Sequence, residues 1–140
     1  MEFKSIIAAV EQFHDAFKIE NNHTPTTEIG NEQIELRHRL MQEENDEYLE
    51  AAKNGDLAEV ADALGDQLYI LCGTILKHGM QHKIVEVFEE IQRSNMSKVC
   101  KTLGEAQATA AYYQQERGVE SYIREVPPYF LVYRKDDDKT

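Results

Sequence analysis

The chain has 140 residues, 41% of them hydrophobic and 29% charged, with a formal net charge of -11 and a pI of about 4.8. That length suits one domain with its own core, and so acidic a chain argues against binding nucleic acid through a basic surface. Small phosphate-bearing ligands stay open, because a divalent ion can bridge carboxylates to phosphate.

In chain order, Ile6, Ile7, Val10, Phe13, His14 and Phe17 recur at helical spacing and predict a helix over about residues 2–18. Asn21 to Thr27 reads as a loop by composition. A second helix is expected over about 31–53, stopped by Asn54-Gly55. Asp56 then caps a third helix, which runs to about His78 and ends at Gly79. A fourth follows over about 82–98, with Ile84, Val87, Phe88 and Ile91 as its buried face. Thr102-Leu103-Gly104-Glu105 resembles a capping box, opening a shorter helix to Arg117 that Gly118 stops.

The tail changes character. Ser121–Val126 and Tyr129–Arg134 are β-rich and flank Pro127-Pro128, which reads as a two-strand hairpin. Such a hairpin is not stable alone and is expected to pack on the helices. A third strand is expected beyond Thr140. The expected architecture is all-α: a four-helix bundle carrying a small C-terminal β-hairpin. It forms a single domain over 1–140, with a helical core over about 1–117 and a β-rich tail over about 120–135.

Cys72 and Cys100 give neither a disulfide framework nor zinc spacing. The N-terminal segment carries Glu2, Lys4, Glu11 and Asp15, unlike a signal peptide. The longest apolar run, Leu68 to Leu76, is too short to span a bilayer. A soluble cytoplasmic protein with no membrane partner is expected.

The telling feature is acid where oil should be. On a helix, Glu43 and Glu47 share a face with Leu36, Leu40 and Ala51, and Glu44 lies at its edge. On the next helix, Glu59, Asp62 and Asp66 fall within an arc of about 60°. Beside that arc, Val60, Leu64, Leu68, Leu71 and Ile75 form an apolar stripe. Carboxylates that border a core are costly unless something positive meets them.

Taken singly, each acid has an ordinary structural reading. Glu59 could complete a capping box with Asp56, and Asp62 or Asp66 could pair with Arg37, Arg39 or Lys98. Together the carboxylates would repel one another and call for cations. Mg²⁺ suits such hard oxygen donors and keeps waters that phosphate oxygens can replace.

Glu44-Asn45-Asp46-Glu47 followed by Glu59-Val60-Ala61-Asp62 resembles the ExxE…ExxD signature of the all-α nucleoside triphosphate pyrophosphohydrolases. These comprise MazG-like proteins, dimeric dUTPases and phosphoribosyl-ATP pyrophosphohydrolase. The likeness continues through Leu64-Gly65-Asp66-Gln67-Leu68-Tyr69 to Arg93-Ser94-Asn95-Met96-Ser97-Lys98. It covers about residues 30–100 and is closest to the MazG-like branch with dUTPase-type members.

The resemblance implies Mg²⁺-dependent (or Mn²⁺-dependent) cleavage between the α and β phosphates of a nucleoside triphosphate, dUTP or a related pyrimidine among the candidates, in nucleotide-pool sanitation. By match to the motif, Glu44, Glu47, Glu59 and Asp62 would hold the metal. Glu43 would orient or deprotonate the attacking water. Asn95 and Lys98 would meet the phosphate chain. Many members carry Glu in the place of Ala63 before Leu-Gly-Asp, so Asp62 and Asp66 form an alternative ligand pair, with Asp66 otherwise a further ligand. The family also implies a homodimer or homotetramer.

Phe13, His14, Phe17, His23 and Pro25 are candidates to line a base pocket, although aromatics at helical spacing more often serve a core. Tyr69, at the edge of the acidic arc, could approach a sugar. Two other readings are a phosphoribosyl-ATP pyrophosphohydrolase, which the β-rich tail and the Arg93–Lys98 segment fit less well, and a non-catalytic helical dimer that binds metal or nucleotide.

Overall fold

The computed structural model describes all of residues 1–140. It is mostly helical, with a small antiparallel sheet at the C-terminal end. The elements are α1 (Phe3–Ala16), α2 (Asn31–Lys53), α3 (Leu57–Lys77), α4 (Ile84–Met96), β1 (Val99–Cys100), α5 (Leu103–Arg117), β2 (Ser121–Val126) and β3 (Tyr129–Arg134). They form two compact units, Met1–Ile84 and Val85–Thr140.

In the first unit, α3 packs against both α1 and α2. Ile7 and Val10 of α1 meet Cys72 and Leu76 of α3 in a small core, with Ile6 and Ile84 at its edge. Asn54 and Gly55 turn the chain between α2 and α3, and Gly55 takes the left-handed conformation. Asp56 accepts from the Glu59 N–H and so caps α3, as its position predicts.

The loop from Lys18 to Gly30 satisfies carbonyls that the end of α3 would otherwise leave unpaired. Asn22 donates its backbone N–H to Leu76 O and its side-chain amide to Lys77 O, and Thr26 N–H donates to His78 O. Gly79, with φ of 66°, brings its Cα against the Thr24 carbonyl, where a Cβ would collide. The loop is thereby tied to α3 at several points.

In the second unit, α5 lies on a three-stranded sheet of order β1-β3-β2. Thr102 caps α5 by accepting from Glu105 N–H, and Gly118 ends it in the left-handed region. Ala106 and Ala110 are small enough to let the helix approach Cys100, Val132 and Ile123 of the sheet. The hairpin register pairs Ser121 with Arg134 and Val126 with Tyr129. Both cysteines are buried and free.

Three expectations need correction. The expected two-strand hairpin is part of a three-stranded sheet, because Val99–Cys100, read from sequence in no strand, pairs with β3. The expected buried face of α4 is open: Phe88 is 65% exposed, and Val87 and Ile91 are exposed with it. On α3, Leu64, Leu68 and Leu71 of the expected apolar stripe are likewise exposed. The buried face of α3 carries Ala63, Cys72, Gly73 and Leu76, together with Ile75 of the expected stripe.

Candidate active site

The α2–α3 pair carries the acids. Gln67 donates to Asn45 Oδ1 at 3.1 Å near the middle of the pair. Towards the far end, Arg37 donates from Nε to Thr74 Oγ1 (3.0 Å) and from Nη2 to Ile70 O (2.8 Å). These ties fix the register of the two helices, and that register brings Glu44, Glu47 and Asp66 together. One carboxylate oxygen from each lies within 4.8 Å of the others.

Glu44 is the half-buried member, while Glu47 and Asp66 are exposed. Its Oε2 is shielded from solvent and has no hydrogen-bond partner. The Glu44 carboxyl is held above the ordinary range. Burial is the largest cause, followed by the charges of Glu47 and Asp66, a hydrogen bond with Glu47 and the charge of Asp62. A shielded, unpaired carboxylate oxygen among three other acids is costly without a cation. Three hard oxygen donors at this spacing fit Mg²⁺ or Mn²⁺ chemically.

The other sequence-predicted residues are distributed as follows. Asp62 acts on Glu44 through its charge but lies outside the trio. Glu59, in the first turn of α3, also lies outside it, and with Glu47, Glu50 and Asp56 lines a neighbouring cleft of about 420 Å³. Glu43 is exposed on α2 beside Glu44. Asn95 and Lys98 belong to the second unit, where the Lys98 ammonium lies 5.8 Å from the centre of the Tyr113 ring. Arg37 makes its hydrogen bonds with Thr74 and Ile70, not with Asp62 or Asp66.

A second cavity of about 580 Å³ opens between α1, α2, α3 and the loop after α1. Leu40 and Tyr69, one helical turn from Glu44 and Asp66, line it. Phe13 meets Tyr69 edge to face at 5.7 Å, and His14 is buried nearby with Nδ1 donating to Asn21 Oδ1 at 2.7 Å. Of the five residues proposed from sequence for a base pocket, Phe13 and His14 line this cavity. Phe17 meets Phe13 with tilted rings 4.5 Å apart, Pro25 lines a different cavity, and His23 lines neither.

Sequence reasoning passed over Lys77 and treated Arg37 only as an ion-pair partner. The signal was present: Arg37 interrupts the apolar positions Leu36 and Leu40, and Lys77 closes the apolar run through Leu76.

The match with known proteins bears on the same helices. The family model described as phosphoribosyl-ATP pyrophosphohydrolase matches residues 10–95, well over half of the chain. The chain belongs to this family. It is a pyrophosphohydrolase, a hydrolase of acid anhydrides, within the all-α MazG-like superfamily. The match spans Glu44, Glu47 and Asp66 and lends no support to dUTP as the substrate. No curated protein and no solved structure matches the chain. No helix is long and apolar enough to cross a membrane.

Proposed function

We propose that this protein hydrolyses the α–β phosphoanhydride of a nucleoside triphosphate or a derivative of one, releasing a monophosphate and pyrophosphate, at a divalent-metal site built on Glu44, Glu47 and Asp66. The observation that carries the reading is Glu44 Oε2: shielded, without a partner, and flanked by two carboxylates within 4.8 Å. Bound Mg²⁺ would supply neutralisation of the triphosphate and a more acidic water. Asp62 adds charge, and Glu59, sharing a cleft with Glu47, is the candidate ligand for a second ion.

The chain's own part is positioning and proton handling. The α2–α3 pair presents its carboxylates from two helices in fixed register, which limits the freedom of whatever they hold. Glu43, next to Glu44 and open to solvent, takes the proton from the water as it attacks phosphorus and the anhydride bond breaks. Asn95 and Lys98, to which the motif gives a hydrogen bond and a positive charge for the phosphate chain, belong to the second unit and carry no part of this reading.

Two readings of the substrate compete. A simple (deoxy)nucleoside triphosphate is one. Phosphoribosyl-ATP, the substrate in the family's name, is the other, and the match over 10–95 favours it. The exposed rows Leu64, Leu68 and Leu71 on α3 and Val87, Phe88 and Ile91 on α4 favour a homodimer or homotetramer, because a monomer seldom leaves such rows open to water.

The test is pyrophosphate release from a panel of ribo- and deoxynucleoside triphosphates and phosphoribosyl-ATP, with Mg²⁺, Mn²⁺ or EDTA. The expected result is metal-dependent release that Glu47→Gln abolishes while the helical circular dichroism is kept. Full activity in that variant would overturn the assignment.

A further inference from the structure

The cavity beside the carboxylates contains positive charge that the metal-site reading does not use. Lys77 is only 7% exposed, and its Nζ donates to the Glu20 backbone carbonyl at 2.5 Å. Arg37 spends Nε and Nη2 on a hydroxyl and a backbone carbonyl. Neither cation is paired with a carboxylate, in a chain of net charge -11. Burial pulls both below their ordinary values, and for Lys77 the charge of Arg37 pulls further while Glu20 opposes it. Two cations held close together and short of counter-charge are costly unless they meet an anion or acceptor.

The site is built to hold them there. Gly73 lets the Arg37 guanidinium lie directly over α3: a Cβ at that position would stand 2.5 Å from Nη2 and 3.0 Å from His14 Nε2. The guanidinium's five N–H groups are fixed in a plane, and with Nε and Nη2 engaged on α3 the Nη1 donors of this cavity-lining residue are left for a ligand. Phe13 and Tyr69 supply an aromatic wall.

Position along the helices then sets the scale. Leu40 and Tyr69 are one turn from the carboxylates. Arg37 is about 10 Å along α2 from Glu44, and Lys77 about 16 Å along α3 from Asp66, at about 1.5 Å per residue. A ligand with its phosphate chain at the carboxylates would reach the cations with its opposite end. About 580 Å³ is an ordinary volume for a small-molecule site.

We propose that this cavity is the specificity pocket of the enzyme, and that Arg37 and Lys77 select a substrate whose end remote from the triphosphate presents acceptor oxygens, either the carbonyl edge of a base or a second phosphate. The inference rests on the proposed metal site for the direction in which the substrate lies. The pocket discriminates against an amino-bearing edge, whose N–H groups would face donors and leave both sides unpaired.

The test uses the full-length protein in EDTA, so that no metal contributes, and three probes: uridine, cytidine and ribose 5-phosphate. Binding is followed by NMR shifts of the Arg37 Nε–H and the Tyr69 ring, and by calorimetry. The expected result is that uridine or ribose 5-phosphate binds at least about tenfold more tightly than cytidine, and that Arg37→Met and Lys77→Met each weaken it by about tenfold or more. A preference for uridine identifies the carbonyl edge, and a preference for ribose 5-phosphate the second phosphate.

Equal binding of all three overturns the proposal, as does the absence of any shift at Arg37 and Tyr69 at millimolar probe. The wild-type shifts decide the matter even if a variant does not fold. Glu47→Gln is expected to keep this binding. Probe binding without pyrophosphate release would therefore sink the catalytic reading and leave the pocket standing.

Discussion

Gln67 donates to Asn45 across α2 and α3 at 3.1 Å, and each of the two residues directly follows a carboxylate of the trio, Asp66 and Glu44. The bond lies at the surface, so its worth to folding is small. Its effect on spacing is larger, because it holds the two helices in register beside the acids. Gln67→Ala is expected to change unfolding free energy by less than about 1 kcal/mol. It is also expected to weaken Mn²⁺ binding several-fold, as loss of a group that orients ligands does. Calorimetric titration with Mn²⁺ checks this, and unchanged affinity would show that the register is set elsewhere.

Glu44 and Glu47 repel each other on one helix face in the metal-free protein, an i,i+3 like-charge pair that costs about 0.2–0.5 kcal/mol at a helix surface. Glu44→Gln relieves that repulsion. The melting temperature in EDTA is expected to stay level or rise slightly. The wild-type protein should gain stability on adding Mg²⁺ or Mn²⁺, because an ion that binds only the folded state stabilises it. In Glu44→Gln that gain should disappear. Thermal melts with metal and with EDTA give both numbers, and a persisting metal shift in the variant would remove Glu44 from the site.

Gly73 sits where a side chain has no room. Gly73→Ala would put a methyl 2.5 Å from Arg37 Nη2 and 3.0 Å from His14 Nε2. Overpacking of that kind costs about 1–3 kcal/mol. Gly79→Ala should cost at least as much, since it adds a positive φ to a collision with the Thr24 carbonyl. Urea unfolding of the two variants measures this. At Gly65, where nothing stands within 4 Å, alanine should be harmless or mildly stabilising, because helix propensity favours it.

The exposed rows make a prediction about assembly. Leu68→Asp on α3 and Phe88→Asp on α4 change residues that the single chain leaves open, so neither should disturb its fold. If second copies cover those rows, each variant is expected to lower the mass seen by light scattering coupled to gel filtration. A wild-type protein that is monomeric at all concentrations would overturn the assembly.

Local signals carried much of this protein. The bounds of α2 follow from Asn31 and the Asn54-Gly55 stop, and those of α3 from Asp56 and Gly79, because caps and left-handed glycines act within a few residues of themselves. The Thr102 cap, the Gly118 stop and the hairpin across Pro127-Pro128 were legible for the same reason. The unusual acids of α2 and α3 also stood out by periodicity alone.

What the chain order could not decide was which groups meet. Strand β1 is two residues long and exists through its pairing with β3, so no pattern within it announces a strand. The choice of Asp66 for the carboxylate trio depends on the register between two helices, a tertiary quantity set by contacts such as Gln67–Asn45. Apolar spacing marks Leu64, Leu68, Phe88 and Ile91 as faces that avoid water, and only packing shows that their own chain leaves them uncovered. The pairing of Arg37 with Lys77, forty residues apart, comes from folding α2 against α3 and tying the loop after α1 to the end of α3. Periodicity describes one element at a time, whereas a site is made where several elements converge.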